Sequence, residues 1–418
     1  MPIRVNILSY SGSGKGYYRV TQPYEYLQKY YNDFIITFFN NMPMNNENAT
    51  HLVKTADIVV SHGILRQAPK SLPNILRKCK RFGKVSVYDI DDKDWEVPPE
   101  NPTYHIFKRE GLEDIYKDCI MAGDYITTTT TKLANELRQF NAKVEVLPNA
   151  IDYDYYYWNL PKEEDGYIRI GIITGSSHVF DLKLIEGLGK WCIDTFDNVK
   201  FVLGGYDSKI LGKNLMGTRL LSYDDGPSNV WWVYKRLLFG KEPNWDKIEI
   251  LRTEPIESYP ILFKNVDIIL APLKYNKFNV VKSPLKIIEA GARGIPVIAS
   301  DVWQYRENIV NGVDGFIVRT QNEWKKYITT LVTDEELRKK MGRSLNKRTR
   351  EKYGIENVSK KRADFLRRIY TNVRQVTIQN EMINNYNLRK QILNKTVKEN
   401  KNGEKNSTPH RIKFPKPM

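Results

Sequence analysis

Residues 278–300 constrain the fold most, because they predict a loop, a helix, a tight turn and a buried strand in that order. Ser283 and Pro284 are the residue types of a helix cap and a first-turn position. Gly294 is the type that ends a helix. The apolar residues 296–299 then have the character of a buried parallel strand. The run therefore predicts a helix that leads through one tight turn into a sheet.

The polar residues of this run predict a binding surface at the helix start. With the helix placed as above, Lys282, Ser283, Lys286 and Glu289 fall on one helical face, since their spacings are close to one turn. Cations and free N–H groups suit a diphosphate, and a carboxylate suits ribose hydroxyls. This face would suit a nucleotide-sugar; the alternative is an amphipathic helix with solvated charges.

The rest of the chain predicts two series of alternating strands and helices. A first set of short apolar runs lies at residues 5–8, 34–39, 58–61, 85–90, 125–128 and 144–147. A second set lies at residues 168–173, 199–203, 248–251, 267–271 and 316–318, with the strand at 296–299 belonging to it. Alternating βα units of this kind predict doubly wound parallel sheets.

Residues 278–296 closely resemble the donor-binding segment of family-4 glycosyltransferases, in the subgroup that reads F-N-x-x-K-S-x-x-K-x-x-E. The resemblance implies a GT-B fold, with two Rossmann-like domains facing a central cleft and C-terminal helices that cross back to the first domain. It implies that Glu289 is the second glutamate of the family's E-x7-E motif and that Lys286 lies near the donor phosphates. Lys282 stands where the family usually has the first glutamate, and could supply diphosphate charge instead.

The resemblance extends to loops after the predicted strands. Residues 11–16 look like a P-loop but lack its spacing, since Ser9 and Gly16 stand where the pattern needs Gly and Ser or Thr; either a sugar-diphosphate loop or a structural turn fits. Residues 175–181 read G-S-x-x-H-x-x-D, as in related enzymes. The implied donor-binding positions in these two loops are Gly12, Gly14, Gly16, Gly175, Ser176 and His178.

Several residues near the predicted strand ends have two interpretations each. His62 would face the reacting sugar, or only cap a strand, and His178 would be a donor-site or a capping residue. The cluster formed by Asp89, Asp91 and Asp92 suggests a metal site, yet the resemblance favours acceptor orientation or structural hydrogen bonds for these carboxylates. The implied acceptor-side residues are Tyr18, Arg19, Asp89, Asp91 and Asp92. Residues 231–236 interleave aromatic rings with cations, and would either stack on bases or sugars or pack against the domain.

The expected organisation has four parts. Residues 1–155 form a Rossmann-like acceptor domain, and residues 156–352 form the nucleotide-sugar donor domain. Residues 353–384 form the crossing helices, and residues 385–418 form a basic tail too poor in apolar residues to fold alone. The region around residues 153–166 is the expected link between the two domains.

Composition and charge bear on the location of the protein, on the role of its cysteines and on its partners. No run of about 18 apolar residues and no leader-like start is seen, which predicts a cytoplasmic protein. The isolated Cys79, Cys119 and Cys192 argue against a disulfide framework or structural zinc. The net charge of +16 fits an anionic partner such as nucleic acid or an anionic membrane surface, but scattered lysines explain it equally.

Together these features predict a retaining glycosyltransferase that moves a hexose or related sugar from a nucleotide-diphosphate donor, most simply a UDP-sugar, with no metal required. The acceptor would be a glycan or cell-envelope polymer. One alternative is a viral enzyme that glycosylates hydroxymethylated DNA bases. Another is an inactive relative that serves as a binding module, which the lysine at position 282 motivates.

Overall fold

The computed structural model describes residues 1–9, 14–39, 45–64, 69–101, 103–206 and 229–404. Of these, residues 1–366 and residues 367–404 belong to two separate units. The first unit contains two six-stranded parallel sheets. The strands of the first sheet are β1 (Ile3–Ser9), β2 (Phe34–Phe38), β3 (Ile58–His62), β4 (Val85–Ile90), β5 (Tyr125–Thr128) and β6 (Val144–Val146), in the order β2-β1-β3-β4-β5-β6.

The second sheet is also parallel, but its strand order differs from that of the first. Its strands are β7 (Ile168–Ile173), β8 (Val199–Tyr206), β9 (Ile248–Arg252), β10 (Ile268–Ala271), β11 (Val297–Ser300) and β12 (Gly315–Val318), in the order β12-β11-β10-β7-β8-β9. Every strand pair in the two sheets is parallel. Each strand predicted from the sequence has a counterpart among the described residues, because strands buried on both faces read as continuous apolar runs.

Helices connect the strands. In the first half they are α1 (Gly14–Gly16), α2 (Gln22–Tyr30), α3 (Asn46–Thr55), α4 (Leu72–Arg81), α5 (Tyr104–Glu110), α6 (Leu112–Ala122) and α7 (Thr131–Leu137). In the second half they are α8 (Val179–Leu182), α9 (Leu188–Thr195), α10 (Val230–Phe239), α11 (Leu285–Arg293), α12 (Trp303–Arg306), α13 (Gln321–Thr333), α14 (Glu335–Tyr353) and α15 (Ile355–Glu404). A π-helical turn, Tyr17–Thr21, joins α1 to α2.

Helices α11 and α14 approach closely because glycine stands at their contact. A β-carbon added to Gly291 would lie 2.1 Å from the Thr349 hydroxyl, which is closer than any real contact. The Asn346 amide donates to the Gly291 carbonyl at 2.8 Å across the same contact. At the end of α11, Gly294 has φ 75°, the left-handed conformation that closes a helix. The predicted helix end at Gly294 is therefore confirmed.

The start of α15 packs on the first half of the chain, as expected for helices that cross back. Ala150, Ile355 and Val358 form a small core with Tyr26 beside it. The Tyr125 and Phe365 rings meet edge to face with centroids 6.0 Å apart, within the range of about 4.5–7 Å typical of aromatic pairs. The backbone extends this contact, since the N–H of Ile355 donates to the Ile151 carbonyl at 2.9 Å.

The domain boundaries given above stay predictions, with one difference at the C-terminus. The sequence predicts an irregular tail from residue 385, whereas α15 continues to Glu404. Residues 405–418 lie outside the described part of the chain. No described helix is long and apolar enough to cross a bilayer.

Candidate active site

The helix α11 begins later than its sequence predicts. Pro284 occupies the N-cap position with φ −81° and ψ 42°, and no side chain caps the helix. The prediction that Ser283 is the cap is therefore wrong, because the kink at Pro284 turns the serine out of the helix. Its hydroxyl accepts a hydrogen bond from the Asn149 amide at 3.1 Å instead. Ser283 thus connects the donor segment to the first half of the molecule.

Lys282 also leaves the helical face on which the spacing placed it. It is extended, with φ −60° and ψ 158°, and follows the 3-10 turn Asn279–Val281. Its ammonium lies 4.9 Å from the centre of the Phe278 ring. Lys282 lines a recess together with His178 and Lys274. The expected single surface is therefore two surfaces, with Lys282 in the recess and Lys286 and Glu289 on the helix.

Lys286 and Glu289 form the polar centre of the donor segment. The Lys286 ammonium donates to the Glu289 carboxylate at 2.8 Å and to the Tyr259 hydroxyl at 2.8 Å. Glu289 is buried, with 2% of its surface exposed, whereas the Lys286 side chain is 27% exposed. The sequence pattern gave no sign of Tyr259, which lies in a 3-10 segment between β9 and β10.

Burial and charge shift the ionisation of this cluster. Burial raises the pKa of Glu289, and the Lys286 charge offsets only part of that rise. Burial lowers the pKa of Lys286, but the Glu289 carboxylate and the Tyr259 hydroxyl together hold it well above its usual range. Burial raises the pKa of Tyr259 to about 12. Lys286 is therefore a permanent cation whose exposed side is available to an anion.

The glycine-rich loop of the first half reaches the second half. Gly14 and Gly16 are the ends of α1, and a β-carbon added to Gly14 would lie 3.4 Å from the Ile256 side chain. Gly12 lies outside the described residues. Tyr18 follows in the π-helical turn and packs into the core of the second half. Burial, and then the Glu289 charge, raise the pKa of Tyr18 well above its usual value.

The expected acceptor role of Tyr18 is thus replaced by an internal one. The residue is 2% exposed, so its ring is part of the core between the two halves. Its hydroxyl has no hydrogen-bond partner among the described residues. Packing against apolar residues of the second half explains the burial.

The loop after β7 carries Gly175, Ser176 and His178. The Gly175 carbonyl accepts from the Tyr234 hydroxyl at 3.0 Å, and that hydroxyl accepts from the His178 backbone N–H at 2.8 Å. His178 Nδ1 lies 2.7 Å from Asp181. Gly175 is exposed and Ser176 is half-buried. Tyr234 and Asp181 hold this loop in place, while Gly175 stays exposed. Such an arrangement suits a loop that binds a ligand.

His62 belongs to a buried network at the carboxyl ends of the first sheet. Its Nδ1 lies 2.8 Å from Asp89 Oδ1, and the Thr127 hydroxyl donates to Asp89 Oδ2 at 2.6 Å. The Arg19 guanidinium forms two hydrogen bonds to Asp89, through Nε at 3.0 Å and through Nη2, and a third to the Leu147 carbonyl. Arg19 and Asp89 are both 0% exposed.

This burial corrects the interpretation of Arg19 and Asp89 as acceptor contacts, because neither side chain reaches a surface. Burial acts to raise the pKa of Asp89, but the Arg19 charge and the hydrogen bonds from His62 and Arg19 hold it well below its usual range. The pair positions the His62 ring. No sequence pattern indicated this, since Arg19 and Asp89 are 70 residues apart.

Asp91 and Asp92 lie just beyond the network. Asp91 is half-buried and Asp92 is 6% exposed. Both interact with other groups, so neither is a free carboxylate. Within the described residues, no group of His, Cys, Asp and Glu side chains could hold a metal ion.

The donor segment is attached to the first half by contacts that the sequence did not reveal. The Thr130 hydroxyl donates to the Val281 carbonyl at 2.8 Å. Val280 and Val281 belong to the same apolar core as residues of β3, β4 and α4. Together with the bond between Asn149 and Ser283, these contacts hold the start of α11 against the carboxyl ends of the first sheet.

The aromatic run at residues 231–236 is a structural element. It lies in α10, where Trp231 and Tyr234 are both 0% exposed and meet edge to face at 5.1 Å. Trp232 is half-buried, and the Arg236 guanidinium lies 5.1 Å from its ring centre. The sequence offered two interpretations of this run, and the structure shows the one in which its rings pack against the domain.

Sequence comparison finds a family match over part of the chain. Residues 188–348 match the family model of glycosyl transferases group 1. The matched segment includes α11, with Lys286 and Glu289, and the whole of β11 and β12. The chain matches no curated protein sequence.

Solved structures identify the architecture. Anabaena HepE, in complex with UDP and glucose, is similar with a TM-score of 0.60 and 14% identity over 87% of this chain and 99% of its own. Sucrose-phosphate synthase of Thermosynechococcus elongatus has a TM-score of 0.58 and 14% identity, over 88% of this chain and 99% of its own. A glycosyltransferase of Rickettsia africae has a TM-score of 0.56 and 16% identity, over 89% of this chain and 98% of its own. The two parallel six-stranded sheets are those of the GT-B fold, as expected.

Proposed function

We propose that the protein is a retaining glycosyltransferase that transfers a sugar from a nucleotide-diphosphate donor to a hydroxyl acceptor. The observation that carries this is the Lys286 ammonium, fixed at 2.8 Å from Glu289 and at 2.8 Å from Tyr259 at the start of α11. The match of residues 188–348 to glycosyl transferases group 1 supports it, since this cluster lies inside the matched segment.

The proposed donor is a UDP-sugar. Anabaena HepE was solved with UDP-glucose, which supports this class of donor for a chain of the same fold. Glu289 would bind the ribose hydroxyls, Lys286 and Lys282 would face the diphosphate, and the loops at Gly14 and Gly175 would approach it with their backbones. Ser176, Ser283 and His178 would complete the donor site.

The chemistry requires stabilisation of the leaving group. The bond from the anomeric carbon to the diphosphate oxygen breaks while a bond to the acceptor oxygen forms on the same face of the sugar. The diphosphate leaves with the electron pair and takes the acceptor proton, so no separate base is needed. Fixed cations at a largely desolvated site stabilise the charge that develops on that oxygen, which is commonly the largest catalytic contribution.

His62 is the residue we assign to the sugar itself. Asp89 holds its Nδ1 at 2.8 Å, which directs the opposite ring nitrogen away from the buried network. A ring nitrogen held in this way can donate to or accept from a sugar hydroxyl. Arg19 and Asp89 act only through His62 and are positioning residues.

The proposed acceptor is a glycan or cell-envelope polymer. Transfer to hydroxymethylated DNA would need a surface for bases, and the buried Trp231 does not provide one. The positive charge of the chain is compatible with either acceptor.

The test measures release of nucleotide diphosphate from a panel of nucleotide-sugars, together with the mass gained by three acceptor pools: envelope glycans, hydroxymethylated DNA and ordinary DNA. Release coupled to added mass on the glycan pool is the expected result, with the anomeric configuration of the donor retained in the product. Lys286→Met should lower the turnover number about 100-fold or more. Lys339→Met is the matched control, because Lys339 pairs with Glu335 on an exposed face of α14.

Two outcomes would contradict the proposal. Absence of donor binding across the panel would exclude an enzyme of this kind, and equal loss of turnover in both lysine variants would remove Lys286 from the site. Added mass on modified DNA alone would replace the proposed acceptor with DNA.

A further inference from the structure

A groove that the donor site does not use lies between the two halves of the first unit. It encloses about 650 Å³, within the range of about 300–1,000 Å³ usual for ligand clefts. Its walls come from the loop after β4 with α5 and α6 on one side and from the loop after β10 on the other. Residues that define it are Trp95, Pro98, Tyr104, Lys117, Lys277 and Phe278.

The groove continues into the recess at the donor segment. Pro98, Asn276 and Phe278 line both spaces. The recess then runs to His178 and Lys282. Only Ser283 and Pro284 separate Lys282 from the helix that carries Lys286. A molecule lying in the groove would therefore have one end at the proposed reaction centre.

Tyr104 gives the groove a surface for a sugar ring, and two buried aromatic residues support the floor beneath it. Trp95 and Phe278 are 3% and 6% exposed and form part of its floor. Trp95 is fixed there by an edge-to-face contact with Phe140, with ring centres 5.8 Å apart. Tyr104, the first residue of α5, is half-buried and keeps part of its ring accessible. Amphipathic aromatic side chains of this kind offer an apolar face beside a polar edge.

Most of the charged side chains on the walls are paired. Four lysines line the groove (Lys93, Lys108, Lys117 and Lys277), against two glutamates (Glu96 and Glu113).

Both glutamates are already used within the protein. Glu113 accepts from the Val97 backbone N–H at 3.1 Å and from Lys108 at 2.6 Å. Glu96 pairs with Lys93 at 2.8 Å. Lys277 is exposed and forms no ion pair with any residue in the described part of the chain. Lys93 also pairs with Glu136 at 3.1 Å, and Lys117 pairs with Asp114 at 3.4 Å. Among the described residues that line the groove, Lys277 is therefore the lysine left available to an anion.

We propose that this groove binds the acceptor as an anionic oligosaccharide, with one sugar unit against Tyr104, further units toward the recess and an acidic group near Lys277. The inference rests on the proposed glycosyl transfer and specifies its acceptor class. It predicts that the protein distinguishes oligomers from single sugars, because a monosaccharide would reach only the recess.

The test measures direct binding of labelled ligands to the full-length protein by fluorescence anisotropy. The ligands are a hyaluronan hexasaccharide, the neutral maltohexaose, glucuronic acid alone and a short DNA duplex. The hexasaccharide of hyaluronan should bind at least tenfold more tightly than the other three, and added salt should weaken it. Lys277→Glu should weaken that binding about tenfold, since it replaces an attraction by a repulsion. Tyr104→Ala should weaken binding of the same hexasaccharide and leave its salt dependence unchanged.

Lys340→Glu provides a control with the same charge change on the exposed face of α14, away from the groove lining, and should leave binding unchanged. Equal affinity for maltohexaose and the hyaluronan hexasaccharide would overturn the anionic assignment, and equal affinity for glucuronic acid would overturn the oligomer. Tighter binding of the DNA duplex, weakened by Lys277→Glu, would assign the groove to nucleic acid instead.

Calorimetry of UDP-glucose binding to the unaltered protein keeps the two proposals apart. Donor binding without hexasaccharide binding would refute the groove and leave the proposed function standing. Hexasaccharide binding without binding of any nucleotide-sugar would refute the transfer reaction.

Discussion

Replacing Asp89 with asparagine would break the buried network behind His62. Asp89 and Arg19 are both 0% exposed, and Asp89 also receives hydrogen bonds from Thr127 and His62. Asparagine has nearly the same shape but no charge, so Asp89→Asn leaves the Arg19 guanidinium buried without its counterion. Removing one partner of a buried ion pair costs about 3–5 kcal/mol of unfolding free energy. We expect Asp89→Asn to lower the unfolding free energy by about 3–5 kcal/mol at neutral pH.

The cost should depend on pH in a defined direction. The pKa of Asp89 is held below its usual range in the folded protein, whereas the unfolded chain has a carboxyl pKa of about 3.9. As pH falls, the unfolded state therefore takes up the proton first, and the contribution of Asp89 is complete above about pH 4 and is lost below it. The difference in unfolding free energy between the unaltered protein and Asp89→Asn should therefore shrink as pH falls below about 4.

Urea denaturation of both proteins, at about pH 7 and again at about pH 3.5, measures this difference. Asp118→Asn is the control, because Asp118 pairs with Arg77 on the surface, where both side chains are more than a third exposed. Such a pair contributes less than about 1 kcal/mol. A cost below about 1 kcal/mol for Asp89→Asn, or a cost that is the same at both pH values, would refute the reasoning.

Three further changes test the donor segment and its packing. Glu289→Gln should raise the Michaelis constant for the nucleotide-sugar about tenfold with a smaller effect on the turnover number, as loss of a ribose contact would, and steady-state kinetics with varied donor checks this. Lys282→Glu should weaken donor binding about tenfold, measured by calorimetry, because a carboxylate then faces the diphosphate; unchanged affinity would remove Lys282 from the donor site. Gly291→Ala should cost about 1–3 kcal/mol in urea denaturation, since the new methyl group would lie 2.1 Å from the Thr349 hydroxyl, and Thr349→Ala in the same chain should recover part of that loss.

The sequence predicted the sheets well because their strands are buried on both faces. The six residues Ile168–Ile173 are almost wholly apolar and carry their own signal. The end of α11 was equally predictable, since Gly294 adopts a left-handed conformation that glycine adopts most readily. Local chemistry determines both features.

The start of α11 was not predictable in the same way. Ser283 is a good cap by residue type, but its hydroxyl bonds to Asn149, 134 positions earlier in the chain. The Arg19 and Asp89 pair and the Tyr259 contact to Lys286 also join distant positions. Periodicity and capping rules describe neighbours along the chain, so pairings set by the tertiary fold escape them.

The first half of the protein is not a contiguous piece of sequence. The N–H of Ile151 donates to the Tyr353 carbonyl at 3.0 Å, and the N–H of Ile355 donates back to the Ile151 carbonyl at 2.9 Å. The beginning of α15 therefore packs on residues that lie far earlier in the chain, among them Tyr26 and Ala150. A fragment that ends at the interdomain link would lack this part of α15 and expose Ala150 to water. A circularly permuted chain that places residues 353–366 ahead of residue 1 would restore it.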